Sequence, residues 1–240
     1  MDKTVLVTGA DHGLGYALCE KYLELGFTVA AGRFLETGEN LIRLKKAYPD
    51  RLEIINLDVS CTESVKKAYS HFKSRFSSLD ILINNAGILG DISKTIYDEI
   101  DYEDIIRTFQ VNALGPLRMV NVFLPSILKG NDKLVVNISS EAGSIANCTR
   151  KNWFGYTMSK CALNMESVLL QNELRDKGVR IILIHPGWLK SMMRGTLDTD
   201  APTWPEEAAE RIIKHIEKYS NYNGNQPPYI DNDNGSILPW

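Results

Sequence analysis

Residues 4–15 read TVLVTGADHGLG. The first five are apolar and rich in valine, which suits a strand buried on both faces. Glycines follow at positions 9, 13 and 15. From there Leu14, Leu18, Tyr22 and Leu25 recur at steps of three and four, the spacing of one helix face. A strand that turns through glycine into a helix lets backbone approach a ligand closely. The helix start offers unpaired N–H groups and a partial positive charge, which suit a phosphate. The spacing is G-x-x-x-G-x-G; the general dinucleotide spacing G-x-G-x-x-G is not met, because position 18 is leucine.

The same alternation continues along the chain. Short apolar runs recur at 27–31 (FTVAA), 52–56 (LEIIN), 79–84 (LDILIN), 133–138 (KLVVNI) and 179–185 (VRIILIH), each bounded by turn or polar residues. Segments with helical spacing lie between them; in 162–174, Leu163, Val168, Leu170 and Leu174 mark one broad apolar side. Strands alternating with helices predict right-handed crossovers and an α/β, Rossmann-type doubly wound parallel sheet. No linker or repeat interrupts the pattern, so residues 1–240 are read as a single dinucleotide-binding domain. The tail 221–240 is irregular, with one short strand expected around PPYID and an apolar ILPW end that needs something to pack on.

Composition narrows the function classes. Apolar content of 44% and charged content of 24% fit an ordinary globular protein. A net charge of −3 gives no electrostatic footprint for nucleic acid, and no run approaches the roughly 18 apolar residues of a membrane span. The opening apolar run is too short for a secretion signal. Cys19, Cys61, Cys148 and Cys161 form no C-x-x-C pair, which excludes a zinc or redox motif and suits a reducing, cytoplasmic setting. Glycosylation sequons at Asn137 and Asn147 have no force without a secretion signal. His12, His71, His185 and His215 show no metal-ligand spacing, so no metal site is expected.

The glycine loop, read with six further motifs in order, resembles the short-chain dehydrogenase/reductase family across essentially the whole chain. Thr8-Gly9-x-x-x-Gly13-Leu14-Gly15 is similar to the family's cofactor loop. In LDV (57–59) the resemblance assigns the Asp58 side chain and Val59 backbone to the adenine. NNAG (84–87) contains Asn85, Ala86 and Gly87 and is similar to the segment that supports the sheet and lines the ribose. Asn112 matches the active-site asparagine, Ser140 the catalytic serine, and Tyr156 and Lys160 the catalytic pair. Pro186, Gly187 and Ser191 match the loop that holds the nicotinamide amide. The sequence YTMSKCALNMESVLLQNEL and the closing GSILPW resemble the single-domain branch that includes sniffer-type carbonyl reductases and C-factor-like signalling proteins. The resemblance implies a homodimer or homotetramer, joined through the helix that carries Tyr156. The apolar stretch NVFLPSIL (121–128) is either part of that contact or core.

Cofactor choice in such folds is made at the end of the second strand, where an acidic residue selects NAD and an arginine neutralises the 2′-phosphate of NADP. Here Gly32 takes the acidic position and Arg33 follows, with no carboxylate until Glu36. NADP(H) is therefore the expected cofactor, with NAD(H) the alternative. His12 stands where many NADP-preferring relatives carry arginine or lysine, and Asp11 beside it is expected to repel a phosphate.

The implied chemistry is hydride transfer between a nicotinamide and a carbonyl or alcohol. Tyr156 and Lys160 share one helix face at i,i+4, and a neighbouring ammonium is expected to lower the phenol toward the working pH. In this reading Ser140 stabilises the oxyanion, Tyr156 moves the proton, and Asn112 holds a water that links Lys160 to solvent. Alternation and the family pattern favour Ser140 over Ser139. The serine–tyrosine gap is 16 residues, about three longer than is usual in the family, which places extra chain in a substrate-lining segment at 141–155. Trp153 and Phe154 there face either substrate or core. A second such segment is expected at 188–204. The alternative function is a cofactor-binding signalling protein with little turnover.

Overall fold

The computed structural model describes residues 3–35, 39–222 and 224–240. Seven strands, β1 (Thr4–Thr8), β2 (Thr28–Arg33), β3 (Leu52–Asn56), β4 (Ile81–Asn84), β5 (Leu134–Ile138), β6 (Arg180–His185) and β7 (Tyr229–Asp231), form one sheet in the order β3-β2-β1-β4-β5-β6-β7. Every neighbouring pair is parallel. Each apolar run marked in the sequence forms a strand, with ends displaced by a residue or two.

Side chains alternate between two cores, as the period of a strand requires. Val5, Val7, Ile81, Ile83, Val136 and Ile182 face one core, with the helices α1 (Gly13–Glu24), α2 (Glu39–Ala47) and α7 (Pro205–Tyr219). Leu6, Leu82, Val135 and Ile181 face the other, which holds α3 (Thr62–Arg75) and α5 (Leu114–Ile127). Phe123 and Ile127 from α5 are fully buried there, so the apolar face of 121–128 is core, while Asn121 and Pro125 are exposed. Two further helices, α4 (Tyr102–Asn112) and α6 (Phe154–Leu174), pack on each other.

The apolar tail finds its partners on the sheet edge. Tyr229 is buried with Leu163 and Leu183, and Leu238 and Trp240 pack against this cluster. Ile237 bridges Ile230 on the outer side of β7, which covers an edge that would otherwise expose unpaired backbone groups. Among the described residues no helix is long and apolar enough to cross a membrane.

Strand order reverses direction between β1 and β4. In open α/β sheets the crevice at such a point, beyond the strands' carboxyl ends, is where ligands bind. The glycine loop after β1 and the NNAG segment after β4 both lie there.

Candidate active site

The two loops at the crevice are stitched together by named bonds. Thr8 Oγ1 accepts from the backbone N–H groups of Asn85 and Ala86, each at 3.0 Å. Asn85 Nδ2 donates to the carbonyls of Thr8 (2.9 Å) and Gly9 (3.1 Å). Thr8 and Asn85 therefore set the shape of the cradle. Gly9 has φ +63° and a Cβ there would meet the Ala86 Cα at 2.9 Å. A Cβ on Gly15 would sit 2.1 Å from the Gly9 carbonyl oxygen, so any side chain would force the loop apart. His12, exposed and extended, makes no side-chain cap on α1. The N–H groups of the first turn thus keep their donor capacity for an anion. Leu14 points the other way, into the core.

At the far end of the cradle, Asp11 is buried and its carboxylate accepts from the backbone N–H groups of Phe34 and Leu35 at 2.8–3.1 Å. Its charge is committed to these donors, and it ties the turn after β2 to the glycine loop. This role differs from the simple repulsion expected from sequence. The Arg33 guanidinium donates to Asn56 Oδ1 at 2.7 and 3.2 Å, and no carboxylate among the described residues pairs with it. Glu36 lies outside the described residues. Asp58 Oδ1 accepts from the N–H (2.9 Å) and hydroxyl (2.6 Å) of Ser60, while the Val59 carbonyl accepts from Arg118 at 3.3 Å.

At the opposite end, α6 directs Tyr156 and Lys160 inward, and both are buried. Ser139 and Ser140 point to opposite sides. The Ser139 hydroxyl donates to Asn164 Oδ1 at 2.6 Å, whereas the Ser140 hydroxyl accepts from the Ala142 N–H at 3.2 Å and has no bond to Asn164. Ser140 is the one free to face a reacting carbonyl. Lys160 Nζ donates to the Ile138 carbonyl at 2.8 Å and lies 5.7 Å from the centre of the Tyr156 ring. Burial pushes the Lys160 ammonium down to about 8. The Tyr156 phenol lies above its ordinary value: burial is the largest cause and Glu141 adds to it, while the Ser140 hydroxyl and Arg150 act in the other direction. Sequence spacing predicts a phenol lowered by Lys160. The two do meet on one face, but the ammonium here is directed at a carbonyl, so desolvation prevails.

A short chain dehydrogenase profile matches residues 3–202. The chain belongs to the short-chain dehydrogenase family. Its fold matches that of the NADPH-bound carbonyl reductase from chicken fatty liver, with a TM-score of 0.87, 29% identity, and 100% and 99% of the two chains covered. The carbonyl reductase Sniffer of D. melanogaster aligns with a TM-score of 0.88 and 25% identity over the full length of both. C-signal of Myxococcus xanthus is 35% identical over 156 residues, 63% of this chain and 93% of that protein. The chain spans about half the length of the curated hydroxysteroid dehydrogenases it also matches.

Within this short-chain dehydrogenase, Asn112 ends α4 and is fully buried. Its amide is bonded at both ends: Oδ1 accepts from the Ile88 N–H (2.9 Å), and Nδ2 donates to the Ile88 carbonyl (2.8 Å) and Ser159 Oγ (3.0 Å). The side chain therefore pins the segment after β4 to α4 and α6, with both amide hydrogens used and one lone pair of Oδ1 left over. Gly87 marks where the site converges. The Cβ position there is 3.3 Å from Asn112 Oδ1, 3.7 Å from Lys160 Nζ and 3.8 Å from Met193 Cε.

The segment after β6 supplies Pro186, Gly187 (φ +90°) and the half-buried Ser191, whose carbonyl accepts from the Asp198 N–H at 3.0 Å. Asp198 also accepts from Trp188 Nε1 at 2.9 Å, which braces the segment 188–204. In the segment 141–155, Arg150 pairs with Glu141 at 2.6 Å and lies over the Trp153 ring at 4.9 Å. Trp153 in turn meets Tyr156 edge-on at 6.0 Å. Phe154 instead lines a small cavity with Asp104 and Ile105 of α4. Sequence reading missed Asn164, Met193 and the Glu141–Arg150 pair; each stands within a few residues of a marked position, but no motif records what its side chain meets. Among the described residues no group of His, Cys, Asp or Glu is arranged to hold a metal ion.

Proposed function

We propose that this protein is an NADP(H)-dependent carbonyl reductase, built as one dinucleotide-binding unit, that acts on a small or medium apolar carbonyl or the matching alcohol. The observation that carries the reading is the buried Tyr156 and Lys160 on one face of α6, with Lys160 bonded to the end of β5 just before Ser140 and an uncapped glycine cradle at the same crevice. The cradle fits a dinucleotide: Gly13 (φ +56°) faces open space where no side chain obstructs the loop, and α1 keeps donors for the phosphates. Thr8, Gly9, Gly13, Leu14 and Gly15 would hold the pyrophosphate, Asp58 and Val59 the adenine, and Asn85, Ala86, Gly87 and Lys160 the ribose. Pro186, Gly187 and Ser191 would hold the nicotinamide amide. When bound, the nicotinamide supplies or takes the hydride.

The chain's own residues do the rest. Ser140 donates to the carbonyl oxygen and stabilises the charge that develops there. Tyr156 gives that oxygen its proton, or removes it in the reverse direction. Lys160 supplies positive charge that favours the phenolate left behind. Asn112 holds the segment bearing Gly87 at the distance that keeps Lys160 inside the site. Arg33 supports NADP(H) over NAD(H), as does the likeness to the NADPH-bound chicken enzyme. The four free cysteines support a reducing, cytoplasmic setting.

Purified protein is expected to oxidise NADPH in the presence of ketones, aldehydes, quinones or diketones, followed by loss of cofactor absorbance, and to do so faster than with NADH. The likeness to C-signal favours a second reading, a cofactor-binding signalling protein. Tight NADPH binding with no turnover anywhere on that panel would select it. We further propose that two copies join through α5 and α6, whose outer faces expose Leu114, Leu117, Met158, Met165 and Leu169, the last two each 61% exposed. Light scattering should then give at least twice the 27.0 kDa chain mass; a monomer at micromolar concentration would refute this.

A further inference from the structure

Behind the catalytic serine lies a set of contacts that the proton and hydride chemistry does not use. Tyr229 pairs with Leu183 in the sheet, is fully buried, and donates its hydroxyl to the backbone carbonyl of Ser140, 89 residues away. Burial pushes the Tyr229 phenol up to about 12, so it remains a donor throughout the neutral range. Asn164 holds the same stretch from α6, taking the Ser139 hydroxyl at 2.6 Å and donating to the Gly143 carbonyl at 3.2 Å. The tail continues the arrangement. Leu238 N–H donates to the Tyr229 carbonyl at 2.7 Å, and the Trp240 ring rests on Tyr229 with 5.6 Å between centres. The Trp240 carbonyl then accepts from the Ala146 N–H at 3.0 Å, inside the substrate-lining segment.

One tail segment therefore touches both walls of the catalytic pocket: the backbone of Ser140 through Tyr229, and the 141–155 segment through Trp240. We propose that Tyr229 is a positioning residue for Ser140, and that residues 229–240 brace the serine and the substrate-lining segment as one unit. The physical reason is directional. Ser140 leaves β5 in extended backbone (φ −156°, ψ 149°) and its hydroxyl must face the tyrosine. Its carbonyl accepts from the buried Tyr229 hydroxyl and from the Gly143 N–H at 2.9 Å; the Gly143 bond lies within the turn itself, so the tyrosine is the donor that ties that turn to β7. Misplacement of a group that must meet the reacting oxygen lowers turnover far more than it lowers cofactor affinity.

The role of Tyr229 in turnover rests on the reductase reading above; the bracing does not, so two readouts are paired. In Tyr229→Phe, kcat for carbonyl reduction should fall by about tenfold, equivalent to roughly 1.4 kcal/mol in the barrier, with KM for NADPH within about twofold of wild type. Hydrogen–deuterium exchange of backbone amides in 141–146 should quicken by about tenfold in Tyr229→Phe and in the milder Trp240→Ala, while amides of 4–16 stay unchanged. Unchanged exchange in both variants would overturn the brace. Faster exchange with unchanged kcat would overturn the positioning role and leave only packing. A wild-type protein that reduces no carbonyl would sink the reductase reading instead, and the exchange comparison would still decide on the brace.

Discussion

Tyr156→Phe should lower carbonyl reduction by at least about a thousandfold, the upper part of the range for loss of a general acid, while the dissociation constant for NADPH stays within about twofold. The substitution removes one hydroxyl from a buried ring. The ring itself, edge-on to Trp153 and part of the α6 surface, keeps its packing. Ser140 retains its bond from Ala142 and stays in place to polarise a carbonyl, so residual turnover reports oxyanion stabilisation without proton transfer. Retained turnover in the phenylalanine variant would refute the assignment. The wild-type pH profile adds a second check. Lys160 is held down to about 8, so kcat/KM for reduction should decline as pH rises through that value and the ammonium is lost. The stability contribution of the same group has the opposite sign. Between about pH 8 and its unfolded value near 10.4, the unfolded chain binds the extra proton, so the Lys160 contribution to stability rises with pH in that window.

Much of this arrangement is legible from spacing alone, and the part that is not has a common cause. The strands announce themselves because a parallel sheet buried on both faces leaves little room for polar residues, as Val5 to Val7 and Ile181 to Ile184 show. The glycine loop is legible because Gly15 answers a steric demand set a few residues away, at Gly9. The choice of Ser140 over Ser139 follows from strand alternation, and in the structure it is the Ser139 hydroxyl that Asn164 takes. Where local pattern gave out, the deciding partner lay far along the chain. Asp11 reads as a lone charge until Phe34 and Leu35 are placed above it. Asn112 reads as a lone polar residue until Ile88 and Ser159 are placed against its amide. Lys160 reads as aimed at Tyr156 until the Ile138 carbonyl claims its proton. A charge or an amide in a motif shows which chemistry is possible, and only the three-dimensional partners show where its bonds go.

Arg33→Ala is expected to raise KM for NADPH by about ten- to a hundredfold and to leave KM for NADH nearly unchanged. The magnitude follows from a charge-assisted hydrogen bond, worth roughly 1.5–3 kcal/mol, at about 1.4 kcal/mol per factor of ten. Selectivity follows from position. Arg33 is the last residue of β2, beside the glycine loop, and its guanidinium is steadied by the neutral Asn56 amide, with no described acid to compete for it. Such a fork can turn to a 2′-phosphate without breaking an ion pair first. The turn that follows is held independently, by Asp11 on the N–H groups of Phe34 and Leu35, so removal of the side chain should not collapse the loop. An equal rise for both cofactors would mean that the substitution damaged the adenosine end in general. A wild-type protein that turns over NADH as fast as NADPH would remove the basis for the phosphate site. The expected result also separates two contributions to specificity at one spot: Gly32 leaves no carboxylate to favour a ribose hydroxyl, and Arg33 adds the charge that favours a phosphate.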